Sequence, residues 1–338
     1  MSDPNLDEIR TLIRELPGPD LEAATAVVQR QRQLTKPPGS LGRLEELVEW
    51  LATWQGRKEP QLRRPRVAVF AGNHGVAAAR PVSAYPVSVT AQMVRNFIEG
   101  GAAINQLCQT YDADLRVYEM ALEEPTADFT RGPAMSHGEG ARAMAYGMMA
   151  LEPGLDVLCL GEMGIGNSTA AAALACAAFG GEPEDWVGPG TGVDRGGLER
   201  KAAAVREALA ANREALSDPL HLLCALGGHE LLAICGAVLA ARLAKTPVVL
   251  DGFACTAAAA VLTKADPRIL DHCVVGHVSA EPGHRRLLER IGKRPLLDFG
   301  MRLGEGTGAA LIIPLLRGAL ACHDGMATFG DAGVSGPV

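Results

Sequence analysis

The segment Gly161–Thr169, GEMGIGNST, combines glycines with a carboxylate and hydroxyl groups directly after an apolar run. Glycines permit tight turns and a close backbone approach to a ligand, and free amides at a helix start attract anions. The pattern therefore indicates an anion-binding turn between a strand and a helix, although it is neither a Walker A loop nor GxGxxG. A plain turn with Asn167 or Ser168 as N-cap is the structural alternative. Glu162 would repel a phosphate, so we expect it to face a sugar hydroxyl or a ring.

A second carboxylate, Glu305, stands between two glycines in LGEGTG, where the last apolar helix, Gly304–Cys322, is predicted to begin. A carboxylate at a helix start can simply complement the helix dipole. The flanking glycines, however, remove neighbouring side chains and leave this carboxylate open to a ligand. Dipole stabilisation does not require such surroundings, so the pattern favours a ligand contact at Glu305.

Lys201 lies near the start of a predicted helix that follows the loop Gly188–Asp194, GPGTGVD. A cation at a helix N-terminus gains nothing from the helix dipole. A phosphate contact would explain the lysine, and an ordinary surface lysine is equally compatible with the pattern.

Three further segments contain polar side chains at the ends of apolar runs. His277 and His284 in GHVSAEPGH lack the helical i,i+4 spacing of paired metal ligands, which argues against a metal site there. A lone histidine such as the one in Asn73–Gly75 is more often a structural hydrogen-bonding residue than a catalyst. The segment Pro81–Gln92, PVSAYPVSVTAQ, is suited to form a flat, mostly apolar wall for an aromatic ligand.

Short apolar runs alternate with longer helical patterns along most of the chain. This alternation predicts an open, mostly parallel α/β sheet with helices on both faces and ligands beyond the carboxyl ends of the strands. The predicted strands are Arg66–Ala71, Asp114–Met120, Asp156–Leu160, Pro247–Asp251, Cys273–Val278 and Pro295–Phe299. The predicted helices between them are Ser88–Glu99, Glu139–Ala150, Asn167–Phe179, Gly197–Ala215, His229–Leu243, Cys255–Lys264 and Pro282–Ile291.

The two ends of the chain depart from this alternation. Asp20–Leu34 and Leu41–Trp54 are predicted to be helices without a strand between them, and Gly304–Cys322 is the terminal helix. We expect residues 1–60 and 304–325 to form a small helical subdomain, residues 61–303 to form the α/β domain, and residues 326–338 to be a loose tail.

Composition excludes several classes of protein. The 338 residues are 48% hydrophobic and 21% charged, which excludes disorder for the bulk of the chain. A net charge of −7 and an aromatic content of 4% argue against a nucleic-acid partner. Apolar runs end well short of the ~18 residues of a membrane span, and the amino-terminal segment lacks signal-peptide features, so we expect a cytoplasmic protein. The eight cysteines include no CxxC pair, which is typical of small buried side chains in a reducing compartment.

Eight motifs occur in a fixed order between about Ala24 and Gly325: KPPGSLGRLE, FAGNHGV, GEMGIGNST, GPGTGVD, LGGHE, VVLDGFACTAAA, GHVSAEPGH and LLDFGMRLGEGTGAAL. Together they closely resemble the nicotinate-nucleotide–dimethylbenzimidazole phosphoribosyltransferases of cobalamin biosynthesis, the CobT family. The resemblance implies transfer of phosphoribose from nicotinate mononucleotide to 5,6-dimethylbenzimidazole with inversion at the anomeric carbon. The products would be α-ribazole 5′-phosphate and nicotinate. It also implies a homodimer.

The resemblance assigns roles to particular residues. It implies that Glu305 is the catalytic base. The positions expected at the nucleotide and phosphate site are Glu162, Gly164, Gly166, Lys201, Ser279 and Leu303. We expect the benzimidazole slot around Ser83, Tyr85 and Gln92. Neither a metal nor another cofactor is expected, because the pyridinium leaving group of the donor is already cationic.

Two other functions are compatible with the same glycine loops. One is a nucleotide- or base-binding protein without transferase activity, against which the carboxylate of Glu305 argues. The other is a hydrolase that releases nicotinate, in which Glu305 would activate water.

Overall fold

A five-stranded sheet forms the centre of the structure, a computed structural model that describes residues 4–336. Its order is β2-β1-β3-β4-β5, and every neighbouring pair of strands is parallel. The carboxyl ends of the strands therefore meet at one edge, and the predicted parallel α/β sheet is confirmed. The strands are β1 (Pro65–Ala71), β2 (Asp114–Glu119), β3 (Val157–Met163), β4 (Val248–Leu250) and β5 (Cys273–Val275).

The predicted strand at Pro295–Phe299 is not formed. Leu297 makes only an isolated parallel bridge with His277, beyond the end of β5. Pro295 has no N–H to contribute to a ladder, and Gly300, with φ of +64°, turns the chain away. The strand β3, in contrast, is longer than predicted and continues to Met163, so the glycine-rich segment begins inside the sheet.

Both faces of the sheet are buried along β1, β3 and β4, as the near-continuous apolar runs predict, whereas the residues of the edge strand β2 are exposed or half-buried. Along β1, Ala68 and Phe70 point into one buried cluster, while Val67 and Val69 point into the other. Every residue of β1 is buried. The sheet thus serves as a rigid support for the loops at its carboxyl edge.

Helices cover the two faces. The first to eighth are α1 (Leu6–Arg14), α2 (Leu21–Gln33), α3 (Arg43–Gln55), α4 (Gly75–Ala79), α5 (Val89–Ile98), α6 (Ala103–Thr110), α7 (His137–Met148) and α8 (Asn167–Phe179). The remainder are α9 (Arg195–Ala211), α10 (Pro219–Leu226), α11 (His229–Leu243), α12 (Phe253–Val261), α13 (Pro282–Arg290), α14 (Thr307–Ala310), α15 (Ile312–Gly325) and α16 (Phe329–Ala332). Helices α7, α8, α11 and α12 pack on the Phe70 face, and α3, α6, α14 and α15 pack on the Val69 face.

The two ends of the chain meet on the Val69 face. Val27 of α2, Leu51 of α3 and Leu316 of α15 share one buried cluster. Arg30 of α2 also donates to the carbonyl oxygen of His323 at 2.9 Å. These contacts support the division of the chain that we propose, in which α2, α3 and α15 form the core of a helical subdomain.

The first helix lies elsewhere. Ile9 of α1 is buried in the cluster on the Phe70 face, and Arg10 donates to Asp218 at 2.9 Å. We therefore assign α1 to the α/β part in this proposed division. Residues 1–3 lie outside the described residues.

The carboxyl-terminal segment differs from the single helix predicted for Gly304–Cys322. It contains two helices, α14 and α15, because Pro314 cannot donate to the carbonyl of residue 310 and its ring clashes with that carbonyl. Part of the expected tail at 326–338 is ordered, since Thr328 bridges to Leu34 and α16 follows it. Residues 337 and 338 lie outside the described residues.

Within residues 4–336, no helix combines the length and the apolar character that crossing a lipid bilayer requires.

Helices α7 and α11 approach each other at two glycines. A Cβ atom at Gly147 would overlap the carbonyl oxygen of Ala233, and one at Gly236 would overlap that of Met144. Gly147→Ala and Gly236→Ala should each lower the free energy of unfolding by about 1–3 kcal/mol, because backbone atoms must move apart.

Gly318→Ala in α15 is the matched control, because open space surrounds that glycine. Replacing this glycine by alanine in a helix interior should raise the unfolding free energy by about 0.5–1 kcal/mol. Urea unfolding of all three variants checks this prediction, and wild-type midpoints for both α7–α11 variants would contradict it.

Candidate active site

Two carboxylates that the sequence singles out lie side by side at the carboxyl edge of the sheet. Glu162 is the penultimate residue of β3, and its carbonyl oxygen accepts the backbone N–H of Glu305 at 3.1 Å. Both side chains are buried. The arrangement places two carboxyl groups in a site of low solvent access, at the edge where open α/β sheets bind ligands.

The pKa values of both groups are shifted upward. Burial, followed by the nearby carboxylates of Asp251 and Glu230, raises the pKa of Glu162 to about 8, although Asn167 donates a hydrogen bond to it. Burial and Asp251 raise the pKa of Glu305 to about 7. Near neutral pH, Glu162 is therefore mostly protonated, and Glu305 can gain or lose a proton.

Glu305 has a strained backbone. Gly304, Glu305 and Gly306 have φ values of +80°, +62° and +77°, three successive residues in the left-handed region. A non-glycine residue held in this region costs about 1–3 kcal/mol. The loop also presses against β3, since a Cβ at Gly161 would overlap the backbone of Gly306. Strain of this kind is typical of positions that a fold holds for function.

Lys201 of α9 is fully buried, unlike a surface lysine. Its Nζ donates to the hydroxyl of Ser168 at 3.0 Å and to the carbonyl oxygen of Gly188 at 2.6 Å, both uncharged partners. Burial lowers the pKa of Lys201 to about 8, with Glu281 acting in the opposite direction. A buried ammonium held by neutral groups is suited to receive an anion.

The N-terminus of α8 adjoins this ammonium. Gly166, with φ of +99°, is the N-cap residue of α8, and Ser168 lies in its first turn. A Cβ at Gly190 would come within 2.7 Å of the Ser168 hydroxyl and 3.1 Å of the Lys201 Nζ. The loop at Gly190 therefore leaves room beside a helix N-terminus and a cation, the combination that binds phosphate.

Ser279 connects to the same loop. Its hydroxyl accepts the backbone N–H of Glu281 at 3.2 Å, and the Glu281 carboxylate accepts the backbone N–H of Gly190 at 2.8 Å. The backbone N–H of Ser279 donates to Nδ1 of His284 at 2.8 Å. Burial, together with His277, lowers the pKa of His284 to about 3, so this ring is neutral. In the described part of the chain, residues 4–336, no three His, Cys, Asp or Glu side chains are arranged to hold a metal ion.

The remaining predicted site residues lie at the rim. Leu303 is 56% exposed, beside Arg302, which donates to the carbonyl oxygen of Gly190 at 2.7 Å. The Ser83 hydroxyl lies 3.0 Å from that of Thr191. The structure thus brings Ser83 and Leu303 to the glycine loop.

Tyr85 and Gln92 are less closely connected to this group. The backbone N–H of Tyr85 donates to the hydroxyl of Ser83, but Tyr85 as a residue is 55% exposed, and Gln92 is exposed on α5. The hydroxyl of Thr90 on the same helix accepts the backbone N–H of Ile165 at 3.1 Å, which joins α5 to the glycine-rich turn.

Gly164 leads to a buried pair that sequence reasoning did not identify. His74 Nε2 lies 2.5 Å from Glu230 Oε1, and neither side chain is exposed. A Cβ at Gly164 would lie 2.6 Å from the carbonyl oxygen of Gly72 and 3.3 Å from Glu230. The pair therefore packs against the glycine-rich turn at Gly164 and supports it. In the sequence, His74 follows one predicted strand and Glu230 lies in the motif LGGHE. The two residues are too far apart along the chain for their spacing to indicate a contact.

A cavity of about 940 Å³ lies apart from these residues, beyond the carboxyl end of β2. Its lining includes Glu124, Met135, Tyr146 and His229. None of the predicted site residues lines it, so its size alone does not identify the reaction centre.

Comparisons with known proteins identify the family. A family model described as phosphoribosyltransferase matches residues 16–334. The nicotinate-nucleotide–dimethylbenzimidazole phosphoribosyltransferase of Brucella anthropi is 60% identical over 330 residues, which are 98% of this chain and 97% of that protein. This chain belongs to that family. The enzyme of the same name from Brucella canis is 60% identical over 329 residues, 97% of each chain.

A solved structure agrees with this family assignment. The crystal structure of CobT from Thermus thermophilus has a TM-score of 0.85 and 45% sequence identity, and the match covers 94% of this chain and all of that one. The family resemblance and the α/β fold predicted from the alternation of apolar runs and helical patterns are both confirmed.

The buried ammonium makes a prediction about stability. Because the pKa of Lys201 falls from 10.5 to about 8 on folding, the unfolded chain binds the proton more tightly between these values. At pH 7, Lys201→Met should raise the free energy of unfolding by about 1–2 kcal/mol, after allowance for two lost hydrogen bonds. The gap to the wild type should close as pH rises from about 8 towards 10.5, since the wild-type lysine then loses its charge.

The exposed Lys264 provides the control. Lys264→Met should lower the unfolding free energy by no more than about 1 kcal/mol, because it loses only an exposed cation–π contact between Nζ and the Phe179 ring. Chemical unfolding at pH 7 and pH 10 without ligands measures both effects. A Lys201→Met variant less stable than wild type at pH 7 would contradict the assignment of Lys201 as an uncompensated buried cation.

Proposed function

We propose that this chain transfers the phosphoribosyl group of nicotinate mononucleotide to 5,6-dimethylbenzimidazole, with inversion at C1′. The products are α-ribazole 5′-phosphate and nicotinate. The names of the relatives support the two substrates. The observation that carries the proposal is a buried carboxylate, Glu305, whose pKa is raised to about 7. A buried ammonium, Lys201, at a helix N-terminus suited to phosphate supports it.

The reaction requires a base. One ring nitrogen of dimethylbenzimidazole attacks C1′ and forms the new N–C bond, while the bond from C1′ to the pyridinium nitrogen breaks and its electron pair leaves with nicotinate. The attacking ring becomes cationic, so its remaining N–H turns strongly acidic. In this proposal, Glu305 accepts that proton, for which a pKa near the working pH is favourable. Inversion follows from attack opposite the leaving group.

The phosphate of the donor is assigned to the group around Lys201. In this proposal the donors are the Lys201 ammonium, the amides at Gly164 and Gly166, and the hydroxyls of Ser168 and Ser279. Charge-assisted hydrogen bonds to phosphate are stronger than neutral ones. A bound phosphate would also relieve the unfavourable burial of the lysine.

Glu162 is assigned to the sugar or the ring. At neutral pH its carboxyl group is mostly protonated, because its pKa is raised to about 8. A protonated carboxyl can donate a hydrogen bond to a ribose hydroxyl or a ring substituent and does not repel the phosphate. We assign the benzimidazole slot to Ser83, Tyr85 and Gln92 and keep Leu303 with the nucleotide site; their place at the rim supports this assignment.

Neither a metal nor a cofactor has a role in this proposal. The donor already has a cationic leaving group, which departs as neutral-ring nicotinate without Lewis-acid assistance. The chain is also proposed to be cytoplasmic. All eight cysteines are free and seven of them are buried, which fits a reducing compartment.

Incubation with nicotinate mononucleotide, with and without dimethylbenzimidazole, tests the function. Transfer gives α-ribazole 5′-phosphate and nicotinate only when both substrates are present. Nicotinate release at the same rate without the acceptor would indicate a hydrolase, and binding without any turnover would indicate a binding protein.

Glu305→Gln tests the proposed base. The amide keeps the shape and a hydrogen-bonding group but cannot accept the proton, so kcat should fall by at least about a hundredfold with little change in substrate binding. In the wild type, activity should be lost as pH falls through about 7, because the base becomes protonated.

Glu139 is the matched control, since it lies in the first turn of α7 as a carboxylate that caps a helix. Glu139→Gln should cost about 0.3–1 kcal/mol of stability and leave turnover unchanged. If Glu305→Gln behaves in the same way, its carboxylate merely complements a helix dipole.

We also propose a homodimer, on the basis of the family resemblance. In sedimentation at micromolar concentration the protein should behave as two chains of 35.4 kDa each. A single-chain mass under those conditions would contradict the proposal.

A further inference from the structure

Asp251 is a fully buried carboxylate at the end of β4 that no role described above uses. Its Oδ2 accepts the backbone N–H of Gly306 at 3.0 Å, and its Oδ1 accepts that of Ala309 at 3.0 Å. Both carboxylate oxygens therefore accept hydrogen bonds from backbone N–H groups within four residues after Glu305. The carboxylate connects the strand edge to this turn by two charge-assisted hydrogen bonds.

These hydrogen bonds act on an unfavourable backbone conformation. Glu305 has a φ of +62° between two left-handed glycines, and a free loop of this sequence would not keep that conformation. Contact with Gly161 limits the loop on one side, because only a glycine leaves room there for the backbone of Gly306. Asp251 holds the loop from the other side.

We propose that Asp251 is a positioning residue for the transferase reaction, whose buried carboxylate fixes the loop that presents Glu305 to the acceptor. This inference rests on the proposed function. Asp251 does not touch the reacting atoms and acts through Glu305.

The charge of Asp251 has a second effect. Asp251 from β4 is the carboxylate that raises the pKa of Glu305, and Glu305 in turn raises that of Glu162 on β3. His277 also faces Asp251, with Nε2 3.5 Å from Oδ1. An anion at Asp251 disfavours a second anion nearby and so raises the pKa of Glu305. The same group therefore fixes the base in space and keeps its proton affinity high.

Asp251→Asn tests both effects in the full-length protein. The amide keeps the size of the side chain but loses the charge, and its NH2 group must face one of the two backbone N–H donors. With both substrates saturating, the kcat plateau should fall by about 10- to 100-fold because the base is misplaced. The KM values should stay within about threefold, since the carboxylate of Asp251 accepts hydrogen bonds from Gly306 and Ala309 and not from the groups assigned to the phosphate.

The pH profile separates positioning from a general structural role. In the wild type, kcat falls as pH drops through the pKa of Glu305. Without the Asp251 anion, Glu305 loses its proton more readily, so this acidic limb should move to lower pH in Asp251→Asn. A variant that is merely destabilised keeps the limb at its wild-type position.

Asp156→Asn is the matched control. Asp156 is also buried, and its Oδ2 accepts the backbone N–H groups of Arg63 and Arg64 at 2.7 and 2.9 Å. It precedes β3, however, at the opposite edge of the sheet from Glu305. Asp156→Asn should lower the melting temperature and leave the pH profile unchanged.

Asp251→Ser provides a second variant that removes the charge without placing an amide N–H group against the loop. Its acidic limb should move in the same direction. An unshifted limb in both Asp251 variants would overturn the inference, and so would failure of both to fold while Asp156→Asn folds, because Asp251 would then be a general stability residue. Absence of product from the wild type would contradict the proposed function instead.

Discussion

Three carboxyl groups, those of Glu162, Asp251 and Glu305, are buried together at the carboxyl edge of the sheet, and they cannot all carry a charge there. Asp251 accepts hydrogen bonds from two backbone N–H groups, those of Gly306 and Ala309. Burial and neighbouring carboxylates raise the pKa of Glu162 despite its hydrogen bond from Asn167, and burial and Asp251 raise that of Glu305. The glycines around Glu305 serve the same arrangement. The loop that carries Glu305 packs directly against β3, and a side chain at Gly161 would overlap the backbone of Gly306.

The strand pattern and the motif order were sufficient to predict most of the fold. Alternating strands and helices indicated the parallel sheet because buried parallel strands require apolar side chains on both faces. The errors have local physical causes: Pro295 and Gly300 prevent a sixth strand, and Pro314 divides the terminal helix. The packing of α1 on the Phe70 face was not predictable, since an amphipathic pattern shows that a helix buries one face without showing which neighbour covers it.

The candidate site was predictable only in part. Glu162, Lys201 and Glu305 were found because each stands in or shortly after a glycine-rich loop, and such loops are visible in the order of residues along the chain. The role of Asp251 was hidden, since its partners, Gly306 and Ala309, are more than fifty residues away and contribute only backbone N–H groups. Side-chain direction on irregular segments is equally unreadable from sequence, which is why Tyr85 and Gln92 remain proposals.

In the proposed reaction, the donor supplies charges opposite to those of the protein groups that it meets. The phosphate of the donor is an anion and would meet the buried ammonium of Lys201, whose pKa is lowered. The pyridinium of the donor is a cation and would meet Glu162 and Glu305, the carboxyl groups whose pKa values are raised. A bound anion favours the protonated lysine, and a nearby cation favours the ionised form of Glu305. Donor binding would therefore shift both groups towards the states that the transfer needs. When the pyridinium leaves as nicotinate, the positive charge passes to the attacking benzimidazole, so Glu305 meets an acidic N–H while it is still ionised. The order of charges on the substrate thus matches the order in which the two protein groups act.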